Sequence, residues 1–401
     1  MPPISAEKYA ELERRVLAAI DRDAAELTEI SLTIHANPEL QFVERKAAAL
    51  LTSKLEARGF EVQRGVAELE TAFVGYAGDN DGPTIGIVAE YDALRGLGHA
   101  CGHNLIGTAA LGAAWAINEV IAELPGRVRM IGTPAEEGGG GKVLMVNRGV
   151  FKGVDAAMMF HPLDTNLLST PFLASNRIKL EFFGRASHAA ASPELGINAL
   201  DAVIQTYNAV NALRQHLRSD VRIHGVITNG GQAANIVPEY ASAEFSVRAA
   251  DRPYSNETLA KFVRCAEAAA MATGATLKYT VEEASRYDDL DSNPIMQRLF
   301  GEKLTRLGID YLDKPNGQGS GSTDMGNVSQ VVPSIHPFLK IAETGVACHT
   351  NGFREAAASP EGQTAMLNAA RAMALTTLDL LAKPDLLRET KAAFAARHPN
   401  V

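Results

Sequence analysis

Cysteine is scarce in this sequence: Cys101, Cys265 and Cys348 are the only three among 401 residues. An odd and sparse set does not make a disulfide framework, so we expect a reducing, cytoplasmic location. Basic residues are also fewer than acidic ones. The chain has 38 Lys and Arg and 47 Asp and Glu, which gives a net charge of −9. A nucleic-acid-binding surface needs a basic face, so we expect no nucleic-acid partner.

Long hydrophobic runs are rare as well. The first residues contain no apolar segment of the kind that a secretory signal has. Residues 105–121 are long enough to span a membrane, but they are rich in Ala and Gly and include Asn118 and Glu119. We therefore expect no membrane partner. A chain of this length exceeds what one simple core accommodates, which predicts two domains.

Strand and helix patterns alternate through the first part of the chain. Apolar residues at helical spacing predict a helix or a pair of helices over residues 5–35. Buried-strand patterns follow at residues 83–89, 127–132 and 155–160, with a long helix near 104–121. This alternation is typical of an α/β domain with a mostly parallel sheet. In such sheets ligands bind beyond the C-terminal ends of the strands.

The pattern changes after about residue 175 and changes back near residue 290. Between these points, alternating strand patterns and two helical ones predict two helices on a small antiparallel sheet. We therefore predict a discontinuous α/β domain of residues 1–175 and 290–401. An inserted α+β domain of residues 176–289 interrupts it.

Three glycine-rich stretches suggest nucleotide-binding or hydrolase motifs, and none fits. One resembles a phosphate loop but carries Glu136 and Val143 where the motif needs Gly and Ser or Thr. A second has Cys101 where the dinucleotide fingerprint needs Gly. The third, residues 317–321, contains no Gly-x-Ser-x-Gly elbow.

The heptapeptide GHACGHN at residues 98–104 places a thiol and two imidazoles within five residues. Its small residues allow a tight backbone, so Cys101 and His103 can face one point as a pair of metal ligands. A buried loop with a structural cysteine and hydrogen-bonded histidines is the alternative.

Further metal ligands occur at three other strand or loop ends: the adjacent Glu136 and Glu137, then His161, then His349. Adjacent carboxylates repel each other unless a cation or a proton lies between them. A thiolate, imidazoles and a carboxylate suit Zn²⁺, with Mn²⁺ or Co²⁺ as alternatives. One glutamate can bind metal while the other handles the protons of the attacking water. Taken singly, a solvated loop or a structural histidine explains each place.

Six motifs along almost the whole chain resemble those of one family of metallopeptidases with two co-catalytic metals, the aminoacylase, carboxypeptidase and amidohydrolase family. They are EYDAL (90–94), GHACGHN (98–104), GTPAEE (132–137), GRASHA (184–189), GGQAANIVP (230–238) and CHT (348–350). The cysteine marks the amidohydrolase branch. Asn104, EEGGGGK (136–142) and STDMGN (322–327) resemble the subgroup of p-aminobenzoyl-glutamate hydrolase and β-alanyl-lysine-type dipeptidases.

The resemblance implies roles for individual residues. The ligands of two divalent ions per subunit would be Cys101, His103, Glu137, His161 and His349. Glu136 would be the general base, and the Asp92 carboxylate would fix the orientation of a metal ligand without binding the metal itself. On the inserted domain, His188 would reach into the neighbouring subunit's site to hold the oxyanion. Asn235 and Arg248 would bind the free carboxylate of the substrate.

The chain departs from the wider family at two points. Glu90-Tyr91-Asp92 stands where the family usually has His-x-Asp, a replacement that the cysteine branch shares. Asn104 stands where many members of the branch have Asp. His224 and His336 also match the subgroup, but no chemical role follows for them.

The resemblance implies a metal-dependent amidohydrolase or dipeptidase. It would use a metal-activated water to cleave the amide of N-acyl or aminoacyl amino acids. By the same resemblance, residues 1–175 and 290–401 would be the catalytic domain, and residues 176–289 would be a lid domain through which a homodimer forms. Two alternatives remain open. One is a non-catalytic protein of the same fold that binds amino-acid conjugates. The other is a cysteine-dependent hydrolase that uses Cys101 as nucleophile with His103.

Overall fold

A computed structural model describes residues 4–79, 81–315 and 321–399. Most of the glycine-rich run at 317–321 therefore lies outside the described residues, as do residues 1–3. Two compact units divide the chain: unit 1 is Met1–Thr170, Leu290–Ser320 and Asp324–Val401, and unit 2 is Pro171–Asp289 and Gly321–Thr323. The catalytic and lid roles that we assign to such segments stay predictions.

The described residues form eleven α-helices and twelve β-strands, besides short 3-10 turns. The helices are Ala6–Ala36 (α1), Arg45–Glu56 (α2), His103–Asn118 (α3), Gly141–Asn147 (α4), Ala199–Leu213 (α5), Arg252–Thr273 (α6), Pro294–Arg306 (α7), Met325–Ser329 (α8), Asn351–Ala356 (α9), Pro360–Ala382 (α10) and Pro384–Arg397 (α11). The strands are Glu61–Arg64 (β1), Phe73–Gly78 (β2), Thr84–Ala89 (β3), Arg127–Gly132 (β4), Ala156–Met158 (β5), His161–Leu163 (β6), Ala174–Phe183 (β7), Arg222–Asn229 (β8), Tyr240–Ala249 (β9), Thr276–Val281 (β10), Ser334–Ile335 (β11) and Phe338–Lys340 (β12).

Unit 1 contains a six-stranded sheet with the order β1-β2-β4-β3-β5-β11. The pairs β4–β3, β3–β5 and β5–β11 are parallel, whereas β1 and β2 pair antiparallel at one edge. The expected mostly parallel sheet is confirmed. Every residue of β3 is buried, as a strand covered on both faces should be.

The strand predicted at residues 155–160 is shorter in the structure. β5 ends at Met158, and His161 begins the separate strand β6, which pairs in parallel with β12. The break occurs because the hydrogen-bonding partner changes from β11 to β12 on the two sides of His336 and Pro337. His161 therefore lies at the start of a strand and not at the end of one.

The first helix is a single amphipathic element. Its predicted apolar positions, from Leu12 to Ile34, are buried. The Ser5 side chain caps the N-terminus by accepting a hydrogen bond from the backbone N–H of Lys8. Asn37 follows the last turn.

Helix α3 is buried from His103 to Ile117 and packs against α1 and α10. A helix that is apolar all round belongs in a core or in a membrane, and here it forms the core of unit 1. Gly107 permits a close approach, since a Cβ there would lie 2.9 Å from the backbone oxygen of Glu90. In the described part of the chain, no helix combines the length and the hydrophobicity needed to cross a bilayer.

Unit 2 contains an antiparallel sheet of order β10-β7-β9-β8, with α5 and α6 packed on one face. Side chains of β7 alternate, so Ile178, Leu180 and Phe182 are buried beneath the helices. Helix α6 begins at Arg252. The Asp251 side chain accepts a hydrogen bond from the backbone N–H of Tyr254 and so caps the N-terminus of this helix.

Candidate active site

The loop between β3 and α3 brings Cys101 and His103 together. Gly102 separates them at φ +78°, and a Cβ there would lie 2.8 Å from Cγ of Pro162. Glycine is thus required both by the left-handed backbone and by the close packing. The thiol of Cys101 lies 3.4 Å from Nε2 of His161. Ligand atoms of Cys101, His103 and His161 all lie within 4.8 Å of one another.

Hydrogen bonds fix the tautomer of both histidines. Asp92 Oδ1 lies 3.0 Å from Nδ1 of His103, and the carbonyl oxygen of Pro162 lies 2.7 Å from Nδ1 of His161. Each Nδ1 therefore donates its proton, and each Nε2 is left to face the thiol side of the site. Among the described residues, Nε2 of the buried His103 has no hydrogen-bond partner.

The turn after β4 carries the two adjacent glutamates. The backbone N–H of Glu137 donates to Oδ2 of Asp92 at 3.0 Å, so one aspartate orients both His103 and this turn. Ligand atoms of His103, Glu136 and Glu137 form a second group within 4.8 Å. Ala135 at the start of the turn has φ +60°, a conformation that a residue with a side chain adopts at a cost.

Glu44 holds this strained turn and was missed by sequence reasoning. Its buried carboxylate accepts hydrogen bonds from the backbone of Ala135 at 2.9 Å, from the backbone of Phe42 and from the hydroxyl of Thr71. Burial raises the pKa of Glu44 to about 7. Its position 91 residues before Ala135 left no sequence signal of the contact.

His349 completes a third group with Cys101 and Glu137. Its backbone N–H donates to the oxygen of Ala100 at 2.9 Å, and its φ of +65° turns the side chain toward Glu137, whose Oε1 lies 3.1 Å from Nε2. The Glu137 carboxylate raises the pKa of His349. The neighbouring thiol of Cys348, followed by burial, raises the pKa of Cys101 well above its usual value. Sequence reasoning did not single out Cys348 for this role.

Negative charge is concentrated around these ligands. Burial, and then the charges of Glu90, Glu137 and Asp324, raise the pKa of Glu136 well above its usual value. Burial alone would lower the pKa of His103, but Asp92, Glu90 and Glu137 outweigh it and raise that pKa. Divalent cations bound here would reduce the electrostatic repulsion between the carboxylates of Glu90, Glu136 and Glu137.

The residues present therefore fit divalent metal ions. The three overlapping groups together contain all five predicted ligands, Cys101, His103, Glu137, His161 and His349, along with Glu136. Thiolate, imidazole nitrogen and carboxylate oxygen are donors that Zn²⁺ and neighbouring transition metals accept. Burial lowers the pKa of His161 to about 4, which keeps this imidazole neutral and able to bind metal.

The predicted catalytic residue His188 and the predicted substrate-binding residues Asn235 and Arg248 lie in unit 2. His188 is exposed, and its Nδ1 accepts hydrogen bonds from the backbone of Ala190 and Ala191. Asn235 is exposed on the adjoining loop, where its carbonyl oxygen accepts from the backbone of Ala189 at 3.0 Å. The two loops are thus neighbours within the unit.

Arg248 projects from β9 on the sheet face that the helices of unit 2 leave uncovered. Its Nε donates to the hydroxyl of Ser246 at 3.2 Å. Burial, followed by the nearby charge of Arg177, lowers the pKa of Arg248. His224 lies opposite Ser246 on the same face. This face therefore carries several cationic or protonatable groups.

Asn104 has a structural explanation. Its buried amide donates to the hydroxyl of Ser31 and to the carbonyl oxygen of Ala357, both at 3.0 Å. It ties the first turn of α3 to α1 and to the end of α9. His336 stacks on His161 with ring centroids 5.4 Å apart. It therefore packs behind a predicted ligand.

Comparisons with known proteins agree with one another. The family described as Peptidase family M20/M25/M40 matches residues 83–372. The Xaa-Arg dipeptidase of Mus musculus is 38% identical over 98% of this chain and 94% of its own length. One subunit of the p-aminobenzoyl-glutamate hydrolase of Escherichia coli is 32% identical over 94% of each chain.

A solved structure shows the same fold. It is the crystal structure of a dinuclear metal-binding peptidase of the M20 family from Bacillus subtilis. It covers 90% of this chain and 99% of its own, with a TM-score of 0.66 and 22% identity.

Proposed function

The chain belongs to peptidase family M20/M25/M40 and is a metal-dependent hydrolase of amide bonds, and we propose which substrates it cleaves, which metals it binds and how it assembles. Its substrates are dipeptides or N-acyl amino acids that end in a free carboxylate. The names of the relatives support this class, since they act on Xaa-Arg dipeptides and on p-aminobenzoyl-glutamate.

The observation that carries the proposal is the overlap of the ligand groups. Cys101, His103 and Glu137 each belong to two of the three groups. Such sharing suits two ions side by side, held by these residues with His161 and His349. The thiolate and the imidazoles favour Zn²⁺ over Mn²⁺ or Co²⁺. When bound, the ions would activate the attacking water and polarise the carbonyl of the scissile amide.

Glu136 is the general base in this proposal. Its carboxylate lies within 4.8 Å of ligand atoms of His103 and Glu137, close enough to take a proton from a water in the site. Its raised pKa suits a group that accepts a proton from water and then delivers it to the leaving amine. Asp92 keeps His103 in the required tautomer throughout.

Unit 2 supplies the groups that hold the substrate's carboxylate and the oxyanion. Arg248 presents a guanidinium that can grip a carboxylate with two hydrogen bonds, and Asn235 adds an amide donor. Arg177, Arg222 and His224 alternate with buried residues, as Arg248 does, and so share its sheet face. Nε2 of His188 is left available for the oxyanion, because Nδ1 is bonded to the backbone.

We also propose a homodimer formed through unit 2, in which His188 serves the partner's site. Strand β8 lies at the edge of its sheet. It exposes 62% of Val226 and 45% of Ile227. An apolar edge strand with unpaired backbone groups favours pairing with a second chain. We further propose a cytoplasmic location with no nucleic-acid or membrane partner, in keeping with three free cysteines and the negative net charge.

A hydrolysis screen of the metal-loaded protein tests the proposal. The panel holds Xaa-Arg and β-alanyl dipeptides, p-aminobenzoyl-glutamate, hippurate and N-acetyl amino acids, each beside its C-terminal amide. We expect cleavage of at least one free acid and much slower cleavage of the matching amide. Equal rates for acid and amide would contradict the carboxylate-binding role of unit 2. No cleavage by a protein that binds metal would favour the non-catalytic alternative.

A further inference from the structure

Lys142 is the first residue after the glycine run, and its ammonium is fully buried in unit 1. Nζ lies 2.6 Å from Oε1 of Glu90 and 2.8 Å from Oδ1 of Asp324. Both carboxylates are also buried. Three ionised groups without access to water form a costly arrangement, which persists only when each group finds its partners.

The backbone holds this arrangement from two sides. The N–H of Lys142 donates to Oδ2 of Asp324 at 2.9 Å, so one carboxylate binds both the main chain and the side chain of the lysine. Gly141 allows the chain to pass so close that a Cβ would lie 1.8 Å from the oxygen of Pro134. The position of Lys142 is therefore fixed by packing as well as by charge.

Glu90 connects this cluster to the metal ligands. One of its oxygens accepts from Lys142, and the other, Oε2, lies 3.4 Å from Nε2 of His103. Within the described residues, Oε2 of Glu90 has no hydrogen-bond partner. Nε2 of His103 is the atom left for metal, because Nδ1 is bonded to Asp92. A carboxylate oxygen that accepts no hydrogen bond thus faces the place where an ion would bind.

A purely structural role does not require this orientation. A buried ion pair adds little net stability over well-packed apolar residues, so stability alone is a weak reason to keep a lysine here. Lys303 provides the comparison: it is nearly as buried and pairs with Asp379 in the same unit, but neither residue belongs to the three ligand groups. Of these two buried clusters, only that of Lys142 directs a carboxylate oxygen at a predicted ligand.

We propose that Glu90 is an additional side chain of the metal centre and that Lys142, fixed by Asp324, is the positioning residue that holds Glu90 toward Nε2 of His103. This inference rests on the proposed function, since it assumes that the five predicted ligands bind metal. Lys142 acts through Glu90 and touches no substrate.

Zn²⁺ titration of the metal-free protein, followed by competition with a chelating dye, tests the inference. The variants are Glu90→Gln, Lys142→Met and the double variant, with Lys303→Met as the matched control. Thermal unfolding in the metal-free state confirms that each variant folds. We expect Glu90→Gln and Lys142→Met each to weaken Zn²⁺ binding about 10- to 100-fold, as loss of residues that orient metal ligands does.

The double variant separates positioning from independent effects. If Lys142 acts through Glu90, the double variant binds Zn²⁺ about as weakly as Glu90→Gln alone. Lys303→Met should lower the unfolding temperature but leave Zn²⁺ affinity unchanged. Unchanged affinity in Glu90→Gln, tighter binding in Lys142→Met, or multiplied losses in the double variant would each overturn the inference.

Two further outcomes keep the inference distinct from the proposed function. If the wild-type protein binds no Zn²⁺ or Mn²⁺, the proposed function fails, and the inference fails with it. If wild type binds metal and the Glu90 variant binds equally well, only the inference fails. Should Lys142→Met not fold, Asp324→Asn, which removes the group that fixes Lys142, is expected to weaken Zn²⁺ binding in the same way, and unchanged affinity would overturn the positioning role.

Discussion

The candidate residues of unit 1 and those of unit 2 differ in how firmly the fold holds them. In unit 1, His103 and Asp92 are fully buried and hydrogen-bonded to each other. In unit 2, His188 and Asn235 are exposed on loops. Metal ligands must be placed before the ion arrives, so their geometry is built into a core. Groups that meet a substrate gain from being accessible.

The two sheets show the same difference. Strand β3 is buried along its whole length, and its C-terminal end delivers Glu90 and Asp92 into a closed environment. Strand β7 alternates between buried and accessible side chains, so one face of its sheet is left open. A parallel sheet covered on both sides suits a metal centre, and a one-sided antiparallel sheet suits a surface that contacts other molecules. Loss of metal or of single side chains in either unit tests this division.

Metal removal should have the largest effect. Dialysis against a chelator is expected to reduce amide hydrolysis to background, because metal held by the predicted ligands would supply the activation of the attacking water. Addition of Zn²⁺ or Mn²⁺ should restore it. Activity that survives chelation but is lost on treatment with iodoacetamide would instead support Cys101 as a nucleophile.

Glu136→Gln should lower the turnover rate about 1,000-fold or more while the protein keeps its metal, since proton transfer is lost but the ligands are intact. Kinetics and metal analysis on the same sample provide the measurement. Glu68→Gln is the control, because that side chain is 90% exposed in unit 1. A near-normal rate in Glu136→Gln would assign the base to another residue.

His188→Ala should lower the turnover rate about 100-fold, the usual cost of losing one oxyanion donor. His216→Ala, another exposed histidine of unit 2, should leave the rate unchanged. If His188 serves a partner, mixing inactive His188→Ala and Glu136→Gln subunits restores roughly a quarter of the activity, because random pairing into two-fold dimers makes half of the dimers mixed. No recovery from verified mixed dimers would refute the trans arrangement.

Arg248→Met should have the smallest effect. Loss of a charge-assisted pair predicts a kcat/KM about 10- to 100-fold lower, mainly through a higher KM. Arg264→Met, an exposed arginine on α6, is the control. An unchanged KM for the free acid would remove Arg248 from the carboxylate site, and unit 2 would lose its part in substrate binding.

Much of unit 1 could be predicted because the signals are local or periodic. The apolar spacing of α1 and the continuous apolar run of β3 each lie within a single element, so neighbouring residues are enough to predict them. Parallel strands bring their C-terminal ends to one edge, so residues that follow β3 and β4 could be expected to meet. That rule places Cys101, His103, Glu136 and Glu137 together from sequence alone.

The rule did not extend to residues held by pairings between distant parts of the chain. Lys142 and Asp324 are 182 residues apart, and nothing in either segment signals the other. Glu44 supports the turn at Ala135 from a remote position as well. Boundaries were also uncertain where a strand changes partner, which is why His161 begins β6 instead of ending β5.

The sequence was sufficient to predict the α/β alternation, the change of pattern in the middle of the chain and the chemical types of the candidate metal ligands. These follow from side-chain periodicity and from residue identity. Only the tertiary structure shows which nitrogen of His103 and of His161 faces the site. It also shows that the buried charges of Lys142 and Asp324 lie next to Glu90. Those depend on distances between segments, and only the folded chain sets such distances, because packing and hydrogen bonding act in space and not along the sequence.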